Sequence, residues 1–211
     1  AFIIKFLDKV GRQKLIHQTS WGASTRLIGA LIMVHGDDNG LVLPPKVAPT
    51  QVMIIPIQQK KAGVLDKVYE LREQLKANGI RVKIDETDKS PGWKFSEQEM
   101  RGIPLRIEIG PRDLENNECV VVKRNDGQKI QCKMDDEFNG FVSGLLETIQ
   151  EEMYQKALQH RDSNTRVVTN FDDFKRDLEE KGGYLKAMWC GDEDCKVKIK
   201  EETTATTRCI K

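Results

Sequence analysis

Residues 52–57, VMIIPI, decide how the rest of the chain is read. An unbroken apolar run of this length is too short for a helix and offers no polar face. It predicts a strand covered on both sides, as in sheets with parallel neighbours. Downstream, Val64, Leu65, Val68, Leu71 and Leu75 recur at helical spacing, and Asn78 and Gly79 stop that helix. Residues 80–84 alternate as a second strand, and 85–93 form a polar loop that includes Ser90, Pro91 and Gly92. A short helix follows over 95–101, stopped by Gly102 and Pro104. Leu105, Ile107 and Ile109 alternate with Arg106 and Glu108, a third strand. Residues 118–123 and 129–132 make a hairpin around Asn125, Asp126 and Gly127. Phe138, Phe141, Val142, Leu145, Ile149 and Met153 mark a long amphipathic helix that runs to about His160. Strands alternating with helices, closed by a hairpin, predict a mixed α/β sheet.

Upstream of the apolar run, Pro44, Pro45 and Pro49 read as a linker, and a domain boundary is placed there. Before it, residues 2–7 read as a strand that pairs with 14–19 across the turn at 9–12. Ser24 is a candidate N-cap for a helix over 25–34. Residues 36–40 are a turn, and 41–43 a short strand ended by the paired prolines. The tail repeats the pattern in miniature. A helix over 171–180 is followed by Gly182 and Gly183, a strand at 184–189, a helix from about Asp192 and a strand ending at Ile210. The expected division is 1–49, 50–160 and 161–211.

The 211 residues carry a formal charge of +1, with 38% hydrophobic and 32% charged residues, so net charge predicts no indiscriminate polyanion binding. No apolar run approaches the roughly 18 residues of a membrane span, and AFIIKFLDKV lacks the features of a signal peptide. The chain opens without Met directly in strand-like sequence, which suggests a piece of a longer protein. Among five cysteines only Cys190 and Cys195 lie close in sequence. The expectation is reduced thiols in a cytoplasmic protein, with that pair as half of a metal site.

Arg26 falls in the first turn after Ser24. There it is either a surface residue of an amphipathic helix or a bidentate clamp on phosphate. Asp37 and Asp38 read as turn formers in a glycine-bounded loop, and His35 as a structural histidine. No G-x-x-x-x-G-K-S/T or G-x-G-x-x-G loop supports a generic nucleotide-binding fold.

The run TSWGASTRLIGALIMVHGDDNGLVLPPKVAP closely resembles the motif 3 region of class II aminoacyl-tRNA synthetases, and within them prolyl-tRNA synthetases of the archaeal/eukaryotic-like type. The similarity continues through PGWKFSEQEMRGIPLRIEIGPRD and the long helix to WCGDEDC. The resemblance implies the end of an antiparallel class II catalytic sheet, then a mixed α/β anticodon-binding domain with five strands, then a small α/β C-terminal domain. It implies ATP-dependent attachment of proline to its tRNA through prolyl-adenylate, with ATP and Mg²⁺ as the substrate complex. Arg26 then matches the arginine that holds ATP phosphates, and Ser24 a neighbouring ATP-contacting position. Ser20, Trp21 and Gly22 match the strand beneath the amino-acid and adenylate pocket. Such chemistry rests on aligning carboxylate and α-phosphate and neutralising phosphate charge. In the family, motifs 1 and 2 lie upstream, so these residues alone are not expected to form adenylate. A homodimer built through the catalytic domain is implied as well, and no membrane partner.

By the same resemblance Phe95, Glu99, Arg106, Arg112, Asp113 and Lys129 match positions that read the two guanines of proline anticodons. The residue types suit the task. An unstacked base needs an aromatic or guanidinium plane, a carboxylate accepts from guanine N1 and N2, and Arg pairs with O6 and N7. Lys83, Lys89, Lys94 and Lys123 are expected to serve phosphates. The bland alternatives are a solvated strand face for Arg106 and Glu108 and a core position for Phe95. Cys190 and Cys195 match the first half of a Zn²⁺ site that some relatives complete further on, and Cys209 reads as a core thiol. The alternative function is a synthetase-like module that binds an anticodon or other RNA without catalysis.

Overall fold

The computed structural model describes residues 3–208, and the chain forms two compact units that divide after Val34. In the first unit β1 (Lys5–Leu7) and β2 (Gln13–Leu15) pair antiparallel, with Lys5 opposite Leu15. Asp8 shapes the turn by accepting from the backbone of Val10 (3.0 Å) and Arg12 (2.9 Å) and pairing with Lys14 (3.0 Å). Both strands are shorter than expected at the ends away from the turn, since residues 3–4 and 16–19 are not in strand. Phe2 lies outside the described residues. Helix α1 (Arg26–His35) follows, and its first turn is closed by Leu27 N donating to Ser24 O at 3.0 Å.

The second unit is organised by a five-stranded sheet. In chain order it contains β3 (Val52–Pro56), α2 (Val64–Ala77), β4 (Val82–Ile84), α3 (Pro91–Met100), β5 (Leu105–Ile109) and α4 (Pro111–Asn116). Then come β6 (Glu118–Lys123), β7 (Lys129–Lys133) and α5 (Phe138–Ser163). The strand order is β4-β3-β5-β6-β7, with β4, β3 and β5 parallel and β6 and β7 antiparallel. This is the mixed α/β sheet expected. Helical crossovers give the parallel strands, and the hairpin at Gly127 (φ +73°) gives the antiparallel edge.

All of β3 is buried, which explains its missing polar face. Val52 and Ile54 join Leu105, Ile107, Ile109 and Val121 under α2 and α5, forming the larger core. Met53 and Ile55 point the other way, with Ile103 and the partly buried Phe95 of α3. Arg106 pairs in register with Met53, so the polar residues of β5 share this second face.

Helix α3 starts earlier than expected. Ser90 is its N-cap, accepting from Trp93 N at 3.4 Å, and Pro91 is its first residue. A proline there loses no helical hydrogen bond and its φ is already helical, so a sequence read as loop is a start signal. Helix α4 was not anticipated. Pro111 opens it, and Asp113 accepts from Gly110 N at 2.7 Å, fastening its first turn.

Residues 41–43 do not form a strand, but lie along the end of α3 and the residues just after it. Leu41 N donates to Met100 O (3.0 Å) and Leu43 N to Gly102 O (3.2 Å). Gly102 (φ +69°) permits this approach, since a Cβ there would come 2.6 Å from the Leu41 backbone. Gly102→Ala combines that clash with left-handed strain and is expected to cost about 2–4 kcal/mol. Urea denaturation checks it, and an unchanged midpoint would contradict the close approach. The proline segment is pinned as well, because Arg81 donates to Pro45 O (2.8 Å) and Ala48 O (2.9 Å).

The chain ends with β8 (Thr165–Val167), α6 (Phe171–Lys181), β9 (Tyr184–Lys186) and α7 (Glu193–Thr203), with β8 and β9 parallel. Asp192 caps α7 by accepting from Asp194 N at 2.9 Å. Residues 204–208, where the strand ending at Ile210 was expected, are not in strand, and Cys209 and Ile210 lie outside the described residues. Among the described residues no helix is long and apolar enough to cross a membrane.

Candidate nucleic-acid interface

Arg106 on β5 is the centre of a polar cluster on the second face of the sheet. Its Nε donates to Glu108 at 2.8 Å and its Nη1 to Glu99 at 3.0 Å, while the guanidinium lies 4.3 Å from the centroid of the Phe95 ring. Secondary structure brings the four together. Phe95 and Glu99 are one turn apart on α3, and Arg106 and Glu108 are two apart on β5. The side chain of Arg106 is only 7% exposed, so these are well-shielded charge-assisted bonds. A guanidinium has five N–H donors, and two are engaged here, leaving three for an incoming acceptor. The ion pair uses Oε1 of Glu99, which leaves Oε2 as an acceptor on a side chain that is partly exposed.

Phe95, Glu99 and Arg106 line a cleft of about 450 Å³, with Lys129 at the start of β7 contributing an ammonium. The phenyl ring of Phe95 packs toward Met53 and Ile55 and carries the guanidinium. The ring and the guanidinium thus form one stack at the cleft, with Phe95 the more exposed of the two. A cationic plane, a free carboxylate oxygen and a lysine together suit a base with both donors and acceptors.

Four of the six residues expected to read guanines meet in this cleft: Phe95, Glu99, Arg106 and Lys129. Arg112 and Asp113 do not line it. Asp113 is occupied as the first-turn cap of α4, and Arg112 is exposed on the same helix. Of the lysines expected to serve phosphates, Lys83 and Lys89 are exposed, and Lys89 lies 5.4 Å from the Trp93 ring centroid. Lys94 and Lys123 are buried. Lys94 donates to Asp85 O at 2.9 Å, and Lys123 is held by Asp126 (2.8 Å) and Glu152 (2.9 Å). Burial pulls the Lys123 ammonium down, but its two carboxylates outweigh this and raise its pKa overall. Both ammonium groups are structural here, and neither is offered to a phosphate.

The cleft also has rim residues that sequence reasoning missed. Arg124, with its side chain 6% exposed, forms a two-pronged pair with Asp37 at 2.7 Å for both bonds, and its Nε donates to Glu99 O at 2.8 Å. Eighty-seven residues separate the partners, and a glycine-bounded Asp-Asp turn carries no signal for such a contact. The Arg124 hydrogen bonds hold the Asp37 carboxyl down to about 2, from an ordinary 3.8. A depressed carboxylate stabilises the fold fully above its unfolded value, and the gain is lost as pH falls from about 4 to about 2. The stability difference between wild type and Asp37→Asn is therefore expected to shrink across that window in pH-dependent denaturation. A difference independent of pH would exclude the pair as its source.

In the first unit, Arg26 is the first residue of α1, with Ser24 just before it and Ser20, Trp21 and Gly22 in the irregular segment ahead. All five are exposed. Cys190 and Cys195 are near enough that the Cys190 thiol raises the pKa of Cys195 through a hydrogen bond. No group of three or more His, Cys, Asp or Glu side chains converges among the described residues. Two thiols supply half of a tetrahedral Zn²⁺ set, so the residues described do not fit a closed zinc site. Cys119 and Cys132, opposite one another on β6 and β7, have sulfurs 3.5 Å apart. The shared hydrogen bond and burial push the Cys119 thiol up.

Comparison with known proteins agrees with this geometry. Residues 51–143 match the anticodon binding domain family, and residues 171–211 match the family described as prolyl-tRNA synthetase, C-terminal. A mixed sheet bearing an Arg–carboxylate–aromatic cleft, within residues of that first family, places residues 51–143 among anticodon-binding domains. Proline–tRNA ligase from Lachnospira eligens is 58% identical over 210 residues, covering 100% of this chain and 44% of that protein. The ligase from Oceanobacillus iheyensis is 56% identical, covering 100% and 43%. The crystal structure of prolyl-tRNA synthetase from Cryptosporidium parvum with L-proline and AMP superposes with a TM-score of 0.84 at 41% identity, covering 95% of this chain and 41% of that one. The chain belongs to the prolyl-tRNA synthetase family and matches its C-terminal portion. It spans less than half the length of these relatives.

Proposed function

We propose that the protein carrying this chain attaches proline to its tRNA at the expense of ATP, through prolyl-adenylate. Residues 50–160 select the tRNA by its anticodon guanines. The observation that carries this reading is the cluster of Phe95, Glu99, Arg106 and Lys129 in one cleft of a domain matching the anticodon-binding family. In the cleft, Arg106 stacks on a base and donates to guanine O6 and N7, Glu99 accepts from N1 and N2, and Lys129 meets a phosphate. Arg112 and Asp113, on α4, act from outside the cleft, on the neighbouring nucleotide.

In this reading residues 1–49 are the end of a catalytic domain, and residues 161–211 a small C-terminal domain. Arg26 holds phosphates of ATP, whose Mg²⁺ complex is the substrate. Ser24 assists it, and Ser20, Trp21 and Gly22 border the adenylate. Assembly as a homodimer and action in the cytoplasm belong to the same reading. The test is charging of proline tRNA by the full-length protein. ATP-dependent formation of prolyl-tRNA is expected, with KM rising when either anticodon guanine is replaced. Absence of charging, with RNA binding retained, would favour a non-catalytic anticodon-binding module.

A further inference from the structure

We propose that Asp37 and Arg124 are positioning residues for the guanine-reading pair Glu99–Arg106. The inference rests on the anticodon reading above.

Glu99 sits in the last turn of α3, where its carbonyl lies beyond the regular helical ladder and accepts from Gly102 N at 3.0 Å. Arg124 adds a second, charged donor, Nε to Glu99 O at 2.8 Å, and its positive charge suits the negative end of the helix. The guanidinium that makes this bond is itself fixed. Both of its Nη groups are taken by the Asp37 carboxylate at 2.7 Å, and the fork geometry leaves it one orientation. Asp37 in turn is anchored by a backbone bridge to Gly40, with bonds of 3.1 Å in each direction. Gly40 lies so close to Met100 that a Cβ would be 2.6 Å from its backbone.

A continuous polar path therefore runs from Asp37 through Arg124 to the Glu99 backbone, then through the Glu99 carboxylate to Arg106. Removing one prong loosens the carbonyl anchor under the residue whose carboxylate sets the Arg106 plane. A well-formed bidentate contact to a base discriminates by roughly ten- to a hundredfold, and a displacement that spoils its geometry forfeits part of that factor. Asp37 and Arg124 also border the cleft, so the displacement occurs where the base is held.

The experiment measures dissociation constants of the full-length protein for two RNA stem-loops, one with the two anticodon guanines and one with adenines in their place. Asp37→Asn, which keeps the size of the side chain, is expected to lower the preference for guanine, the adenine-over-guanine ratio of the two constants, about tenfold. Asp37→Glu, which keeps the charge, is expected to restore most of it. Arg124→Lys keeps charge without the fork and is expected to behave like Asp37→Asn, so it carries the test if that variant folds poorly. A merely structural pair would weaken both RNAs equally, and an unchanged ratio in both variants overturns the proposal. If the wild type itself does not prefer guanine, the anticodon reading fails first, and the proposal falls with it.

Discussion

Arg106→Met is expected to raise the dissociation constant for a proline anticodon stem-loop about a hundredfold. The substitution removes the guanidinium that pairs with O6 and N7, a contact worth about 1–3 kcal/mol by itself. It also leaves Glu99 and Glu108 facing a phosphate-bearing ligand without the charge that now neutralises them. With about 1.4 kcal/mol per tenfold, the two effects together reach roughly two orders of magnitude. The Met stem keeps some contact with Phe95, so the fold is expected to survive. Fluorescence anisotropy with labelled RNA reads the affinity, and circular dichroism checks the fold. A loss below about threefold would mean that Arg106 is only a structural ion-pair residue.

The largest expected effect on stability comes from Ile107→Ala. Ile107 is fully buried on β5, the middle strand of the sheet, between Ile54 on β3 and Val121 on β6. Truncation removes three carbons from a place where neither flanking strand can collapse, so a cost of about 3–5 kcal/mol is expected. Domains are stable by only about 5–15 kcal/mol, so the variant loses a large share of its margin. Denaturant unfolding of the second unit should show it, and a cost under about 1 kcal/mol would contradict the placement of β5 at the centre.

Much of this fold was legible because its signals are local. The apolar run at 52–56, the helical spacing from Val64 to Leu75 and the alternation at 105–109 each encode an element by the faces it must bury. Alternation also showed that Arg106 and Glu108 share one face. It could not show that α3 would cover that face and bring Glu99 to within hydrogen-bond distance of Arg106. The start of α3 was misread for a local reason, because a proline after Ser looks like a loop until it is considered as a first helical residue. Lys94 and Lys123 looked like phosphate ligands because a lysine in a basic stretch is normally solvated. Their burial depends on partners such as Glu152, 29 residues beyond Lys123. Arg124 and Asp37 were hidden for the same reason at longer range. Resemblance named the residues of the cleft, and geometry then separated those that meet from Arg112 and Asp113, which stand apart.

The central claim is that this cleft distinguishes guanine from other bases. Isothermal titration calorimetry of the full-length protein with the proline anticodon stem-loop tests it directly, compared with the same RNA carrying adenine at both guanine positions. Adenine replaces the O6 acceptor by a donor and removes the N2 amino group. With about 1–3 kcal/mol lost at each position, affinity is predicted to fall at least about thirtyfold. Equal affinities for the two RNAs would contradict it.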